Sequence, residues 1–130
     1  MFGRKKDFKN NNWFDVFANA ANGCVYGLKT QKNFKIHLLL SLLVLLLAQW
    51  LQIPFERFLL LIMAIIFGFT VEMANTAFEK TVDLVTEKYN PKAKIAKDLA
   101  AGTMLMASIG LAVLGFLILL PPLFNRIFGL

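Results

Sequence analysis

The sequence predicts an all-α integral membrane protein, with three transmembrane helices behind an N-terminal amphipathic helix on the cytoplasmic face. Three observations point there. Of the 130 residues 58% are hydrophobic and the mean hydropathy is +0.61, which leaves a soluble domain too little polar surface. Three apolar segments, 36–53, 55–77 and 99–120, have the roughly 18 to 22 residues that a hydrocarbon core of about 30 Å requires. The third observation is how the basic residues are distributed. Arg4, Lys5, Lys6, Lys9, Lys29, Lys32 and Lys35 precede the first span, and Lys80, Lys88, Lys92, Lys94 and Lys97 lie between the second and third. Only Arg57 and Arg126 fall on the other side, so the positive-inside rule places the N terminus and the second loop in the cytoplasm.

Taken in order, residues 1–12 are basic and Asn-rich and are expected to form a poorly ordered tail. From Trp13, apolar residues recur at Phe14, Phe17, Ala18, Ala21, Val25 and Leu28, which predicts a surface helix over 13–31. Trp13 and Phe14 suit the headgroup level that aromatic rings favour, and the chain is expected to turn inward near Asn33. Asp15, Asn19 and Asn22 interrupt this stretch, so it does not read as a signal peptide. A short outer turn holding Pro54, Glu56 and Arg57 joins spans one and two. Span three is expected to stop at Pro121-Pro122. Within it Ala101, Ser108, Ala112 and Gly115 share one narrow face, where small residues let helices approach closely in lipid. Nothing divides the chain, so residues 1–130 read as one membrane domain.

Several function classes drop out. The net charge of +6 sits beside the membrane, where it sets topology and meets anionic lipid, so nucleic acid is not the expected partner. Cys24 is alone and forms no intramolecular disulfide. His37, single at a span entrance, reads as an interfacial or packing residue and not as a metal ligand. There is neither a Gly-rich phosphate loop of the G-x-x-x-x-G-K type nor a protein-kinase motif set.

The chemistry is carried by polar residues in and after span two. Glu72 follows the apolar run from Phe58 to Val71, and a carboxylate at that depth is functional by default. At about 100° per residue, Glu72, Glu79 and Asp83 fall within roughly 40° of one another, with Asn75 about 60° to one side. One helix thus carries a polar stripe from the bilayer into the cytosol. Phosphoryl transfer needs positioning, metal ions on phosphate oxygens and an acceptor for the attacking hydroxyl proton. Glu79 could hold magnesium, Glu72 could act as base, and Lys97 in the stretch Pro91 to Asp98 could neutralise phosphate charge. Read without that chemistry, Glu79 and Asp83 are a solvated helix end, and Lys94, Lys97 and Asp98 are a loop with a helix start.

These residues carry a resemblance. Val71-Glu72-Met73-Ala74-Asn75-Thr76-Ala77-Phe78-Glu79, then Val82-Asp83, Ala93-Lys94-Ile95-Ala96-Lys97-Asp98, Ala100-Ala101-Gly102 and Asn33-Phe34-Lys35-Ile36-His37 are similar to the prokaryotic membrane diacylglycerol kinase and undecaprenol kinase family. The resemblance runs from about Phe14 to Ala107. It implies a homotrimer in the bacterial cytoplasmic membrane, with active sites between protomers at the membrane–cytosol boundary. It implies Glu72 as catalytic base and Glu79 as a ligand of Mg²⁺, with Asn75, Tyr89, Lys97 and Asp98 on the ATP side and Glu72 and Asp83 on the lipid side. The family has a further metal-binding Glu where this chain has Gln31, a weaker magnesium ligand; Asp98 or Asp83 is a candidate to compensate.

The expected function is therefore an ATP- and Mg²⁺-dependent lipid kinase acting on the hydroxyl of a membrane lipid alcohol, undecaprenol first and diacylglycerol second. Two rival readings use the same residues. A small cation-coupled transporter subunit would use Glu72 in a relay, but paired repeats and broken helices are missing from the sequence. A catalytically impaired scaffold is motivated only by Gln31.

Overall fold

Apolar runs of this length can satisfy their backbone groups in lipid only as helices, and the computed structural model, which describes residues 12–129, consists of four: α1 (Trp13–Thr30), α2 (Lys32–Trp50), α3 (Phe55–Val85) and α4 (Pro91–Phe128). The last three are long and apolar enough to cross a membrane, and α1 is the shorter helix ahead of them. The tail expected over 1–12 lies, apart from Asn12, outside the described residues.

Each boundary has a local cause. Asn12 caps α1 by accepting from the Asp15 amide at 2.8 Å. The break between α1 and α2 falls at Gln31, in extended conformation, and not near Asn33; Asn33 and Phe34 belong to the first turn of α2. α1 reaches α2 closely because Gly27 has no side chain: a Cβ there would meet the Phe34 ring at 3.2 Å. α4 starts at Pro91, with Asn90 accepting from the amides of Lys92 and Ala93 at 2.9 and 3.3 Å. Lys94, Lys97 and Asp98 therefore lie inside α4, which corrects the loop reading of that stretch, and the α3–α4 connection shrinks to residues 86–90.

A second correction concerns Pro121-Pro122. The prolines do not end α4, which continues to Phe128 and is capped by Gly129 in the left-handed conformation at φ 66°. Proline's fixed φ is compatible with a helix, and what it removes is the amide donor. The segment beyond is held by packing: Leu123 lies against the apolar core, Phe124 and Phe128 stack at 5.8 Å, and the Arg126 guanidinium sits 5.3 Å from the Trp50 ring of α2.

The bundle has two unlike ends. At the far end, Ala48, Leu51, Leu61, Ile118 and Leu119 form an apolar core from α2, α3 and α4. Towards the basic end, the buried positions of α3 become Gly68, Glu72 and Thr76. At 1.5 Å per residue, α3 and α4 are about 46 and 57 Å long, so both must leave a hydrocarbon layer of about 30 Å. Their polar residues follow that exit.

The tight far-end turn from α2 to α3 puts Gln52 at φ 51°, a left-handed conformation costing a side-chain-bearing residue about 1–2 kcal/mol. Gln52→Gly should relieve it, with glycine's extra chain entropy of about 0.5–1 kcal/mol as the offset. A raised thermal unfolding midpoint in detergent is the expected result; a lowered one would show that the Gln52 side chain stabilises the turn.

Candidate functional site

The site grows from one face of α3. Leu61, Gly68, Glu72 and Thr76 are its buried residues, spaced as one helical stripe. Glu72 is only 2% exposed, and its Oε2 has no hydrogen-bond partner among the described residues. An unmatched buried polar atom is costly, and an unmatched carboxylate oxygen more so. Met73, beside it, meets α1: its Sδ lies 4.0 Å from the Cys24 Sγ. α3 thus meets α1 directly beside Glu72.

One turn on, Asn75 donates from Nδ2 to Glu79 Oε1 at 3.3 Å, while its own Oδ1 is buried without a partner. A further turn brings Asp83 to Lys97, whose Nζ donates to Oδ1 at 2.6 Å and ties α3 to α4. Both residues lie beyond the apolar segments. The hydrogen bond from Lys97 holds the Asp83 carboxyl below its ordinary range, and the same bond from the other side raises the Lys97 ammonium, with Glu79 adding to it.

The sequence-expected residues therefore form pairs in place of one cluster. Asn75 joins Glu79, and Asp83 joins Lys97, with Glu79 within electrostatic reach of Lys97. Glu72 lies inward of these, and Asp98 turns along its own helix to Lys94. Tyr89 is 82% exposed in the 86–90 connection. The Gln31 side chain, in the α1–α2 break, donates to Thr30 Oγ1 at 3.4 Å.

No three His, Cys, Asp or Glu residues gather as a ready metal site among the described residues. Magnesium needs less than that: one or two carboxylates, with the remaining positions taken by phosphate oxygens and water. The Glu79 carboxylate beside the unpartnered Asn75 Oδ1 is a hard-oxygen pair of that kind, so the residues present fit the ion. Next to this pair a groove of about 420 Å³ opens between α3 and α4, lined by Thr70, Ala74, Asn75, Phe78, Leu99 and Thr103.

The burial of Thr76 and the partner of His37 escaped the sequence reading. Thr76 is buried one turn from Glu72, and His37 packs onto Gly68 on the same face. The pattern Gly68, Glu72, Thr76, small or polar residues at i, i+4 and i+8 in an apolar helix, was the available signal.

Comparison with known proteins matches residues 18–119 to the family model described as prokaryotic diacylglycerol kinase. The chain is similar to an undecaprenol kinase of Bacillus subtilis (strain 168), 35% identical over 120 residues that cover 91% of this chain and 98% of the relative. It is also similar to a diacylglycerol kinase of Synechocystis, 36% identical over 130 residues covering 95% and 74% of the two chains. A diacylglycerol kinase of Helicobacter pylori (strain 26695) is 34% identical over 79 residues, 61% of this chain and 62% of that one.

The Asp83–Lys97 tie has a pH window. Its stabilisation is fully present above the ordinary aspartate value of 3.8 and is lost as pH falls through the depressed Asp83 value. On the other side it is present below the ordinary lysine value of 10.5 and lost as pH rises through the elevated Lys97 value. Between those limits Asp83→Asn should speed tryptic cleavage after Lys88 in the adjoining connection; cleavage at the wild-type rate would mean the pair does not restrain it.

Proposed function

The chain belongs to the prokaryotic diacylglycerol kinase family of lipid kinases, and from that premise we propose that it transfers the γ-phosphoryl group of ATP to the hydroxyl of undecaprenol. The observation that carries the reading is the buried Glu72 carboxylate with an unpartnered Oε2. Support for the polyprenol comes from the near end-to-end match to the Bacillus subtilis undecaprenol kinase, 98% of that chain against 74% of the Synechocystis diacylglycerol kinase. Diacylglycerol is the second candidate.

In this reading the chain lies in a prokaryotic cytoplasmic membrane with its basic end inward. Glu72 is about 21 Å along α3 from Phe58 and sits near the inner headgroup level, where a lipid hydroxyl is presented. The Glu72 Oε2 accepts the hydroxyl proton as the alcohol oxygen bonds to the γ-phosphorus, and the bond from that phosphorus to the bridging oxygen breaks to release ADP. Lys97 places a cation beside the phosphates while Asp83 holds it against α3. Tyr89 and Asp98 lie at the cytosolic rim, open to the nucleotide. Glu79 with Asn75 would hold Mg²⁺, which when bound neutralises phosphate charge. The protein acts as a homotrimer in this account. The spans bury only 17, 17 and 11% of their apolar windows within one chain, leaving ample surface for neighbouring copies as well as lipid.

The test is ATP-dependent labelling of undecaprenol and diacylglycerol by the purified protein in mixed micelles. Undecaprenol should be the better acceptor by kcat/KM; preference for diacylglycerol would reverse the substrate assignment, and labelling of neither would overturn the function. Gln31 generates a separate expectation: Gln31→Glu should raise the apparent affinity for Mg²⁺ or the turnover rate, because a carboxylate is a stronger ligand than an amide. An unchanged or lower rate would show that this position does not meet the metal.

A further inference from the structure

We propose that His37 is a positioning residue for Glu72: wedged against Gly68 one turn away, it fixes the face of α3 from which the carboxylate meets the lipid hydroxyl. The proposal rests on the reading of Glu72 as the base. It starts from the helix period. Ile65, Gly68, Phe69 and Glu72 occupy i, i+3, i+4 and i+7 of α3 and so lie along one face.

His37 of α2 touches the first three of these. Its Nε2 is 3.5 Å from the Ile65 carbonyl oxygen, and its ring meets Phe69 edge-on at 4.6 Å and 86°. Its Cε1 and Nε2 occupy the space that a Cβ on residue 68 would need, so only glycine admits the ring this close to the helix backbone. On the α4 side, Leu111 Cδ1 stands 3.0 Å from that same Cβ position. On the α1 side, Phe34 leans on Phe69 at 4.8 Å and also packs over Gly27. The imidazole is thus confined by α2, α3 and α4, with Glu72 on the next turn of the same face.

Space filling does not account for a histidine here. The ring also borders a cleft of about 350 Å³ between α2 and α4, in company with Asn33 and Ser108. A leucine or phenylalanine would fill the gap equally well, but would bring no nitrogen to the Ile65 carbonyl or to the cleft. What places His37 near Glu72 is the packing itself: the imidazole sits on the Ile65–Gly68 turn of α3, directly before the turn that carries the carboxylate. Lys97, in the cytosolic half, is engaged by Asp83. An imidazole fixed against the preceding turn can hold the helix face that presents the carboxylate in one orientation, as groups that orient catalytic side chains do.

The test compares wild type, His37→Phe, His37→Gln and the double variant His37→Ala, Gly68→Ala in the lipid-labelling assay, alongside helical content and thermal midpoint. His37→Phe keeps an aromatic ring against Phe69 and removes the nitrogen atoms. It should retain helicity and the KM for ATP within about twofold, while kcat falls about tenfold or more. His37→Gln, which restores a polar donor, should recover part of that loss. The double variant removes the ring and part of the void together, so it reports on kcat if His37→Phe does not fold, and a similar kcat loss is expected. Wild-type kcat in either His37→Phe or the folded double variant would overturn the proposal, as would His37→Gln no better than His37→Phe. If wild type labels no lipid, the kinase reading itself fails, and this inference with it; wild-type turnover with undiminished His37→Phe defeats only the role of His37.

Discussion

A buried carboxylate with one oxygen unmatched is the constraint around which this bundle is arranged. Glu72 sits at 2% exposure in a helix whose preceding residues are apolar, and nothing among the described residues hydrogen-bonds its Oε2. Such a group is destabilising wherever it stands, and proteins tolerate that cost mainly where chemistry requires it. The surrounding structure answers the cost by position. α3 buries its apolar residues at the far end and its polar ones towards the basic end, so the carboxylate lies one or two turns from groups that face water.

Three sets of contacts hold that arrangement. Apolar packing of α2, α3 and α4 fixes the far end, extended past the prolines by Leu123, the Phe124–Phe128 stack and the Arg126–Trp50 contact. Near the middle, Gly27, Phe34, Phe69, His37 and Gly68 form a chain of close contacts running from α1 through α2 to α3. At the basic end, Asp83 and Lys97 join the two long helices just before the connection that carries Tyr89. The glycines matter here for the side chain they lack, since each lets an aromatic or imidazole ring approach the backbone of a neighbouring helix.

The three spans and the amphipathic helix were legible because lipid imposes its demands on composition and length, which a single sequence displays directly. Glu72 was legible for the same reason, as an ionisable residue where none belongs. Helix ends were less so. Pro121-Pro122 read as a stop because local propensity opposes a helix there, yet packing by Leu123 and the stacked phenylalanines carries α4 onward. The stretch Lys94 to Asp98 read, apart from its chemistry, as a loop with a helix start, because its charges hid the Asn90-Pro91 start one turn earlier. Pairings were not legible at all. That Asn75 turns to Glu79, and Asp83 to Lys97, depends on rotamers and on how α3 meets α4. His37 read as an interfacial or packing residue, and it packs; its partners, Gly68 and Phe69, were not legible because they are distant in the chain.

The central claim is that the Glu72 carboxylate takes the proton of the lipid hydroxyl. Replacing one carboxylate oxygen by an amide, Glu72→Gln, changes shape least while removing the base, and single-turnover labelling with saturating ATP isolates that step from product release. The account predicts a variant that assembles and binds nucleotide as wild type does, yet transfers phosphate to lipid at least about a hundredfold more slowly. Transfer at the wild-type rate would contradict it.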